Sequence, residues 1–405
     1  MYRYVVRQKI IMKNKTIILA YSGGLDTSFC LKRLSSDGFN IHAILVNTGG
    51  FDKSEISNIK KQAIKLGASK FIVIDAKKKF YDKIIKFLIF GNVLKNNSYP
   101  LSVSSERIIQ AIEIMNYSKK NNINTVAHGS TGAGNDQVRF DSIFQILNPN
   151  IKIITPIRDN SISRKQEISY LKKMGVKFTW NNSKYSINKG IWGTTIGGDE
   201  TLTSYKALPN KAFTKKLIEK RKKVLNIKFI KGEIVSINNK RSNPIDLINY
   251  LEEISSQYAI GRDVHVGDTI IGIKGRVGFE AAAAKIIIKA HELLEKHTMS
   301  KWQIFQKDSI SKLYGMLIHE GQYFDPVIKD IEAYFEKSQR YVTGNVFVEL
   351  SPYNFKLNGI KSKHDLMNDN SGVYGEENLN WSSDDIKGFI KINSNSSRIF
   401  KQINK

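Results

Sequence analysis

The chain has 405 residues, 41% hydrophobic and 25% charged, the make-up of a globular protein with room for two or three cores. Its 63 Lys and Arg against 37 Asp and Glu give a net charge of +26, yet the lysines are scattered from end to end and no segment interleaves Arg with aromatics, so the excess reads as broad lysine usage, as AT-rich coding gives, rather than as a nucleic-acid surface. The single cysteine, Cys30, excludes an internal disulfide and any two-cysteine catalytic or metal motif, and with no secretory leader and no apolar run near the ~20 residues of a membrane span, a reducing cytoplasm fits best.

Residues 1–13 carry no usable pattern and read as an N-terminal extension, with Met12 a second candidate start. From there strand and helix signals alternate. "TIILAYS" (16–22) is a buried strand, and Asp26, Thr27 and Ser28 open a helix that runs through "SFCLKRLSSDG" to Gly38. "IHAILVNTGG" (41–50) is a second strand, "KSEISNIKKQAIKLG" (53–67) a helix stopped by Gly67, and "KFIVIDA" (70–76) a third strand. "SERIIQAIEIMNYSKKN" predicts a helix, "INTVAHGS" and "IKIITPIRD" two more strands, and "SRKQEISYLKKMG" a helix with Ser163 and Gln166 spaced as a capping box. Apolar strands alternating with helices predict an α/β domain over residues 14–180, a parallel sheet with helices on both faces.

After residue 180 the pattern changes. "NNSKYSINKGIWGTTIGGDE" is rich in Gly, Asn, Ser and Thr without periodicity and reads as a long functional loop, with Trp180, Tyr185 and Trp192 arguing against disorder. Residues 181–378 mix strands with helices at "IDLINYLEEISSQY" and "FEAAAAKIIIKAHELLEKH", an α+β domain. Residues 379–405 predict an amphipathic helical arm, apolar at Ile386, Phe389, Ile390 and Ile392, of the kind that docks on another subunit.

Two constellations carry chemistry. In "AYSGGLDTS" (Ala20–Ser28) a strand of a parallel sheet meets a helix N-terminus, where unpaired N–H groups and a partial positive charge attract phosphate. Gly23 and Gly24 let the backbone approach an anion, so that a Cβ on Gly23 would intrude on the phosphate; Ser22, Thr27 and Ser28 add hydroxyls. The spacing is neither the Walker pattern nor G-x-G-x-x-G. In "VAHGSTGAGNDQVRFD" (Val126–Asp141), Thr131, Asn135 and Arg139 offer donors for a carboxylate, and Asp136 offers an acceptor for an ammonium. Together these are handles for an amino acid.

The first motif resembles the pyrophosphate loop of the ATP pyrophosphatases that activate a substrate as its adenylate. With the second motif, and with "YPLSVSSERI", "YSINKGIWGTT", "GIKGRVGFE" and "GFIKI" following in order, most of the chain resembles the argininosuccinate synthase family. The resemblance implies an adenine-nucleotide-hydrolase-like, Rossmann-like N-terminal domain, a synthetase domain and a C-terminal helix that assembles a homotetramer. It implies a ligase of arginine biosynthesis that joins citrulline and aspartate at the expense of ATP, which arrives with Mg²⁺, and no dedicated protein metal site. ATP would be held by Ala20, Tyr21, Ser22, Gly23, Gly24, Leu25, Asp26, Thr27, Ser28, Val46, His128 and Gly129. Aspartate would be held by Thr131, Asn135 and Asp136, and citrulline by Tyr99, Ser104, Asn135, Arg139, Ser186, Thr195, Asp268 and Phe279. Ser22, Asp26 and Asp136 are the candidate catalytic residues.

The chain departs from the family pattern at four places. Ala133 stands where many relatives have Lys, and Val103 where they have Thr. Gly267 stands in place of a Glu, with Asp268 next door as a substitute, and Phe279 in place of a Tyr. The last two changes fall at the end expected to hold citrulline's amino-acid head, which raises an N-acylated citrulline as an alternative substrate. Two rival readings are a tRNA thiolase of the same superfamily, which commonly needs two cysteines, and a nucleic-acid-binding protein with a vestigial nucleotide fold.

Overall fold

The computed structural model describes residues 15–177, 185–368, 374–375 and 380–405. The predicted extension, Trp180 and the domain boundaries near 180 and 378 lie outside the described residues.

The first sheet has five parallel strands, β1 (Thr16–Ala20), β2 (Asn40–Asn47), β3 (Lys70–Asp75), β4 (Thr125–Ala127) and β5 (Lys152–Ile154), in the order β3-β2-β1-β4-β5. Successive residues of β1 point into different cores, as a strand's period of two requires. Ile17 and Leu19 pack with Phe29, Leu31 and Leu34 of α1 (Leu25–Ser36), whereas Ile18 joins Ile44, Val126 and Ile108 on the opposite face. Both faces of β1 are therefore buried, which is why this central strand is apolar, whereas the edge strand β3 is half exposed. Helix α2 (Lys53–Leu66) stops at Gly67, φ 108°, and α3 (Ser102–Lys120), α4 (Asp136–Leu147) and α5 (Arg164–Lys173) follow. The Ser163–Gln166 capping box forms as predicted.

The second half contains two antiparallel sheets. One has the order β10-β9-β8-β13-β14, built from β8 (Lys223–Ile230), β9 (Glu233–Ile237), β10 (Lys240–Arg241), β13 (Gly344–Ser351) and β14 (Asn354–Lys361). Helices α6 (Pro244–Ser256) and α7 (Ala282–Thr298) pack on it. The other has the order β11-β12-β7-β6, from β6 (Ser186–Gly190), β7 (Gly193–Gly197), β11 (Arg262–Asp268) and β12 (Lys274–Glu280). Helices α8 (Lys301–Glu320) and α9 (Pro326–Ser338) complete the body.

Three expectations need correction. The polar stretch after 185 is a hairpin, β6–β7, rather than a loop: Trp192 is buried at its turn and donates from Nε1 to the Pro100 carbonyl, which pins it to the first domain. The helix predicted from Phe279 begins at Ala282, because Phe279 and Glu280 end β12. The terminal arm is two helices, α10 (Ser383–Asn393) and α11 (Asn395–Ile403), and both carry exposed apolar side chains.

Candidate active site

The C-terminal ends of β1, β2 and β4 open onto one cavity of about 1030 Å³, closed on its far side by β6–β7 and β11–β12. The glycine-rich β1–α1 loop is one edge. Helix α1 starts at Gly24 with no side-chain cap, so its first N–H groups are left for a ligand. Ser22 Oγ lies 3.3 Å from Thr27 Oγ1, and Thr27 Oγ1 donates to the Gly24 carbonyl at 3.3 Å. Two predicted contacts are turned away. Ser28 is buried and its Oγ accepts from Gln62 Nε2 at 3.0 Å, while Gly23, φ 78°, is not in the cavity wall. A Cβ on Gly23 would meet Ile59 Cγ1 at 2.9 Å, so this glycine is required by its backbone conformation and by packing, not by a phosphate.

Asp26 stands in the first turn of α1, beside the buried Glu167 of α5. Burial, and then the Asp26 charge, push the Glu167 carboxyl up to about 8.

The second loop packs directly on the first: a Cβ on Gly129 would lie 3.2 Å from the backbone of Asp26. His128 is a strut. Its Nδ1 accepts from the Ser130 N–H at 3.2 Å and its Nε2 lies 2.7 Å from Asp141, which also holds Arg158 at 2.7 Å. Asn135 Oδ1 accepts from the Ile270 N–H at 2.9 Å, tying the loop to the β11–β12 turn.

At the centre is a carboxylate between two guanidiniums. Arg107 Nε donates to Asp136 Oδ2 at 2.9 Å and an Arg139 terminal N–H to Oδ1 at 2.8 Å. Burial opposes ionisation of Asp136, but the two arginines override it and hold the carboxyl down at about 2. Beside them Glu106 is buried. Its Oε2 accepts from Thr48 at 2.7 Å, its Oε1 has no partner among the described residues, and desolvation raises it to about 8.

Of the predicted residues, Ala20, Tyr21, Ser22, Gly24, Leu25, Asp26, Thr27, Val46, Tyr99, Ser104, His128, Gly129, Thr131, Asn135, Asp136, Arg139, Ser186, Thr195 and Asp268 all line this cavity. Phe279 does not. It is fully buried behind Tyr99, ring centroids 5.2 Å apart. Asp268 is at the wall, but both its oxygens are held by Lys274, at 2.7 and 2.8 Å.

The sequence reading missed Gln62, which props the β1–α1 loop, and Glu106, Arg107, His265 and His319, which line the cavity. Arg107 and Glu106 stood inside a quoted motif, "SSERI", and a doubly charged pair on the buried start of a helix was the available signal. Gln62 had none, since on a helix rich in Lys and small polar residues it looks like one more solvated residue.

Comparison with known proteins agrees with this geometry. Residues 16–177 match the family described as the arginosuccinate synthase N-terminal HUP domain, and residues 185–400 the arginosuccinate synthase C-terminal domain. The chain is 34% identical to the argininosuccinate synthase of Methanocaldococcus jannaschii over 388 residues, 95% of this chain and 97% of that one. It is 35% identical to that of Sulfurisphaera tokodaii over 96% of this chain and 99% of the relative, and 35% identical to that of Staphylococcus aureus over 94% and 95%. With matches over both halves and relatives aligned almost end to end, the chain belongs to the argininosuccinate synthase family.

Proposed function

We propose that the protein is a C–N ligase that joins L-citrulline and L-aspartate to argininosuccinate, converting ATP to AMP and pyrophosphate, in arginine biosynthesis. The ureido oxygen attacks the α-phosphorus and pyrophosphate leaves. The aspartate nitrogen, having lost a proton, then attacks the ureido carbon, and AMP departs with the ureido oxygen. The observation that carries this reading is the shared cavity, in which an uncapped helix start, the glycine-rich loop after β4 and the β6–β7 hairpin face one another.

The uncapped N–H groups of α1, with Ser22 and Thr27, receive the β- and γ-phosphates, where negative charge grows as the α–β bond breaks. Mg²⁺ enters with the nucleotide as part of the substrate, and Asp26 is the carboxylate the loop offers beside it. Thr131, Asn135 and the Asp136–arginine cluster hold aspartate, while Tyr99, Ser104, Arg139, Ser186 and Thr195 hold the ureido substrate. Most of the rate enhancement then comes from holding three reactants in register. Both family matches and the relatives above favour this reading over the thiolase and nucleic-acid readings.

The purified protein with ATP, Mg²⁺, citrulline and aspartate is expected to release AMP and pyrophosphate, with citrulline required for pyrophosphate release. Pyrophosphate release independent of citrulline, or none at all, would overturn the assignment. We also assign the protein to the cytoplasm, consistent with a buried lone thiol, and to a homotetramer joined through α10 and α11. Their exposed Phe389, Ile390, Phe400 and Ile403 are the surface a second copy would cover. Removing residues 380–405 should lower the mass in sedimentation.

A further inference from the structure

Five cationic side chains line the cavity: Arg107, Arg139, Arg164, Lys189 and Arg276. Four are engaged. Arg107 and Arg139 share Asp136, Lys189 Nζ lies 3.5 Å from Glu55 Oε1, and a terminal N–H group of Arg276 donates to the carbonyls of Glu200 and Lys206 at 3.1 and 2.9 Å. Arg164 is exposed and makes no hydrogen bond or ion pair among the described residues. Its place follows from how two helices pack. The Phe29 ring of α1 meets the Tyr170 ring of α5 edge-on, centroids 5.2 Å apart, and one turn nearer both N-termini Asp26 stands beside Glu167. The helices therefore run side by side in the same direction, and both start at the cavity. A further turn back, Arg164 is level with Ser22 and Gly23. The buried Glu167 feels both neighbours: burial and then Asp26 raise its pKa, while Arg164 lowers it. The free guanidinium thus stands beside the uncapped start of α1, on the edge where Ser22, Gly24 and Thr27 face the cavity.

We propose that Arg164 is the pyrophosphate-holding cation of the reaction: its guanidinium binds the β- and γ-phosphates beside the α1 N–H groups and keeps hold of pyrophosphate once the α–β bond has broken. This rests on the ligase reading above. As the ureido oxygen bonds to the α-phosphorus, the bridging P–O bond breaks and its electron pair goes to pyrophosphate, so negative charge grows at the far phosphates. Backbone N–H dipoles and hydroxyls stabilise that charge in part. A guanidinium adds a full positive charge and two parallel N–H donors that match phosphate oxygens. A cation is needed on this edge because Asp26, the carboxylate there, repels phosphate. Arg107 and Arg139 cannot supply it, since both are committed to Asp136.

Magnesium pyrophosphate and AMP are titrated separately into the wild-type protein, Arg164→Met and Arg164→Lys by calorimetry, and each is then used as a product inhibitor of the full reaction. Arg164→Met is expected to weaken pyrophosphate binding at least tenfold while AMP binding is unchanged, and to raise KM for ATP at least tenfold with KM for aspartate unchanged. Arg164→Lys, which keeps the charge but not the paired donors, should recover part of the loss. A smaller loss of pyrophosphate affinity in Arg164→Met overturns the inference, as does an equal loss for AMP and pyrophosphate, which would mean that the residue only supports the fold. If Arg164→Met does not fold, Arg164→Lys decides: weaker pyrophosphate with unchanged AMP supports the role, and unchanged pyrophosphate overturns it. A wild-type protein that binds pyrophosphate through Arg164, yet releases none in response to citrulline, would overturn the ligase reading and leave the pyrophosphate site standing.

Discussion

Arg107 Nε donates to Asp136 Oδ2 at 2.9 Å, and through that one carboxylate it is coupled to Arg139 on the far side. Asp136 therefore fixes two guanidiniums, Arg139 buried and Arg107 half-buried. Removing it takes the charged partner from both, a loss of about 1–3 kcal/mol for a carboxylate that is 37% exposed. Asp136→Ala is expected to lose stability as well as activity. Asp136→Asn keeps the shape, and should raise KM for both aspartate and the ureido substrate while nucleotide affinity stays within a few-fold. Steady-state pyrophosphate release with each substrate varied, beside nucleotide titration, checks this. A variant that raises KM for aspartate alone would show that Arg139 does not depend on the bridge.

Gln62 props the β1–α1 loop. Its Nε2 donates to the Gly23 carbonyl at 3.3 Å and to Ser28 Oγ at 3.0 Å. Gln62→Ala is expected to raise KM for ATP about tenfold and to leave KM for aspartate unchanged. Gly23→Val should be worse, because φ 78° strains any residue with a Cβ and Ile59 is in its way. Pairing it with Ile59→Ala should restore folding in part and nucleotide binding little, since the backbone strain remains. Thermal melts and nucleotide titration on the single and double variants separate the two effects.

Glu106 makes stability depend on pH. Its carboxyl titrates near 4.5 when the chain is unfolded and near 8 when folded, because burial disfavours the anion. The folded state thus keeps a proton that the unfolded state releases. Stability is fully present below pH 4.5 and declines as pH rises through 8. Glu106→Gln removes the charge and should flatten that decline, leaving the variant more stable than wild type above pH 8 by an amount on the order of 2 kcal/mol. Urea melts at pH 6 and pH 9 decide it; a decline of equal steepness in the variant would assign the effect elsewhere, Glu167 being the next candidate.

Most of what local chemistry dictates was readable in advance. The alternating apolar strands, the Gly67 stop and the Ser163–Gln166 box depend on neighbours in sequence, and they appear where the pattern put them. The cavity loops were readable too, because glycines and hydroxyls cluster there for a backbone reason. The β6–β7 hairpin was not. Its side chains are small and polar, and what makes it a sheet is pairing with β12 some eighty residues away. The histidines of the cavity wall were unreadable for a similar reason: His265 and His319 come from distant segments, and each alone looks like a solvated residue. Phe279 shows the opposite limit. Position in a motif suggested a contact, but the alternation of β12 turns its ring into the core.

That hairpin closes the site through two glycines. A Cβ on Gly50 would fall 2.2 Å from the Lys189 carbonyl, and one on Gly190 would fall 1.5 Å from Glu106 Oε1. Gly190→Ala is therefore expected to push the hairpin away from α3, carrying Ser186 and Thr195 with it, and to lower kcat/KM for the ureido substrate more than for ATP. The clash is with a side-chain tip, so it can be relieved by shortening the partner. Glu106→Ala in the same chain should recover stability and ureido affinity, with a coupling on the order of 1–3 kcal/mol between the two positions. Gly50→Ala clashes with backbone, and Glu106→Ala should leave its loss unchanged. A double-mutant cycle on thermal stability and on KM for the ureido substrate measures both; additive losses at Gly190 and Glu106 would mean that the hairpin is not seated on the buried carboxyl.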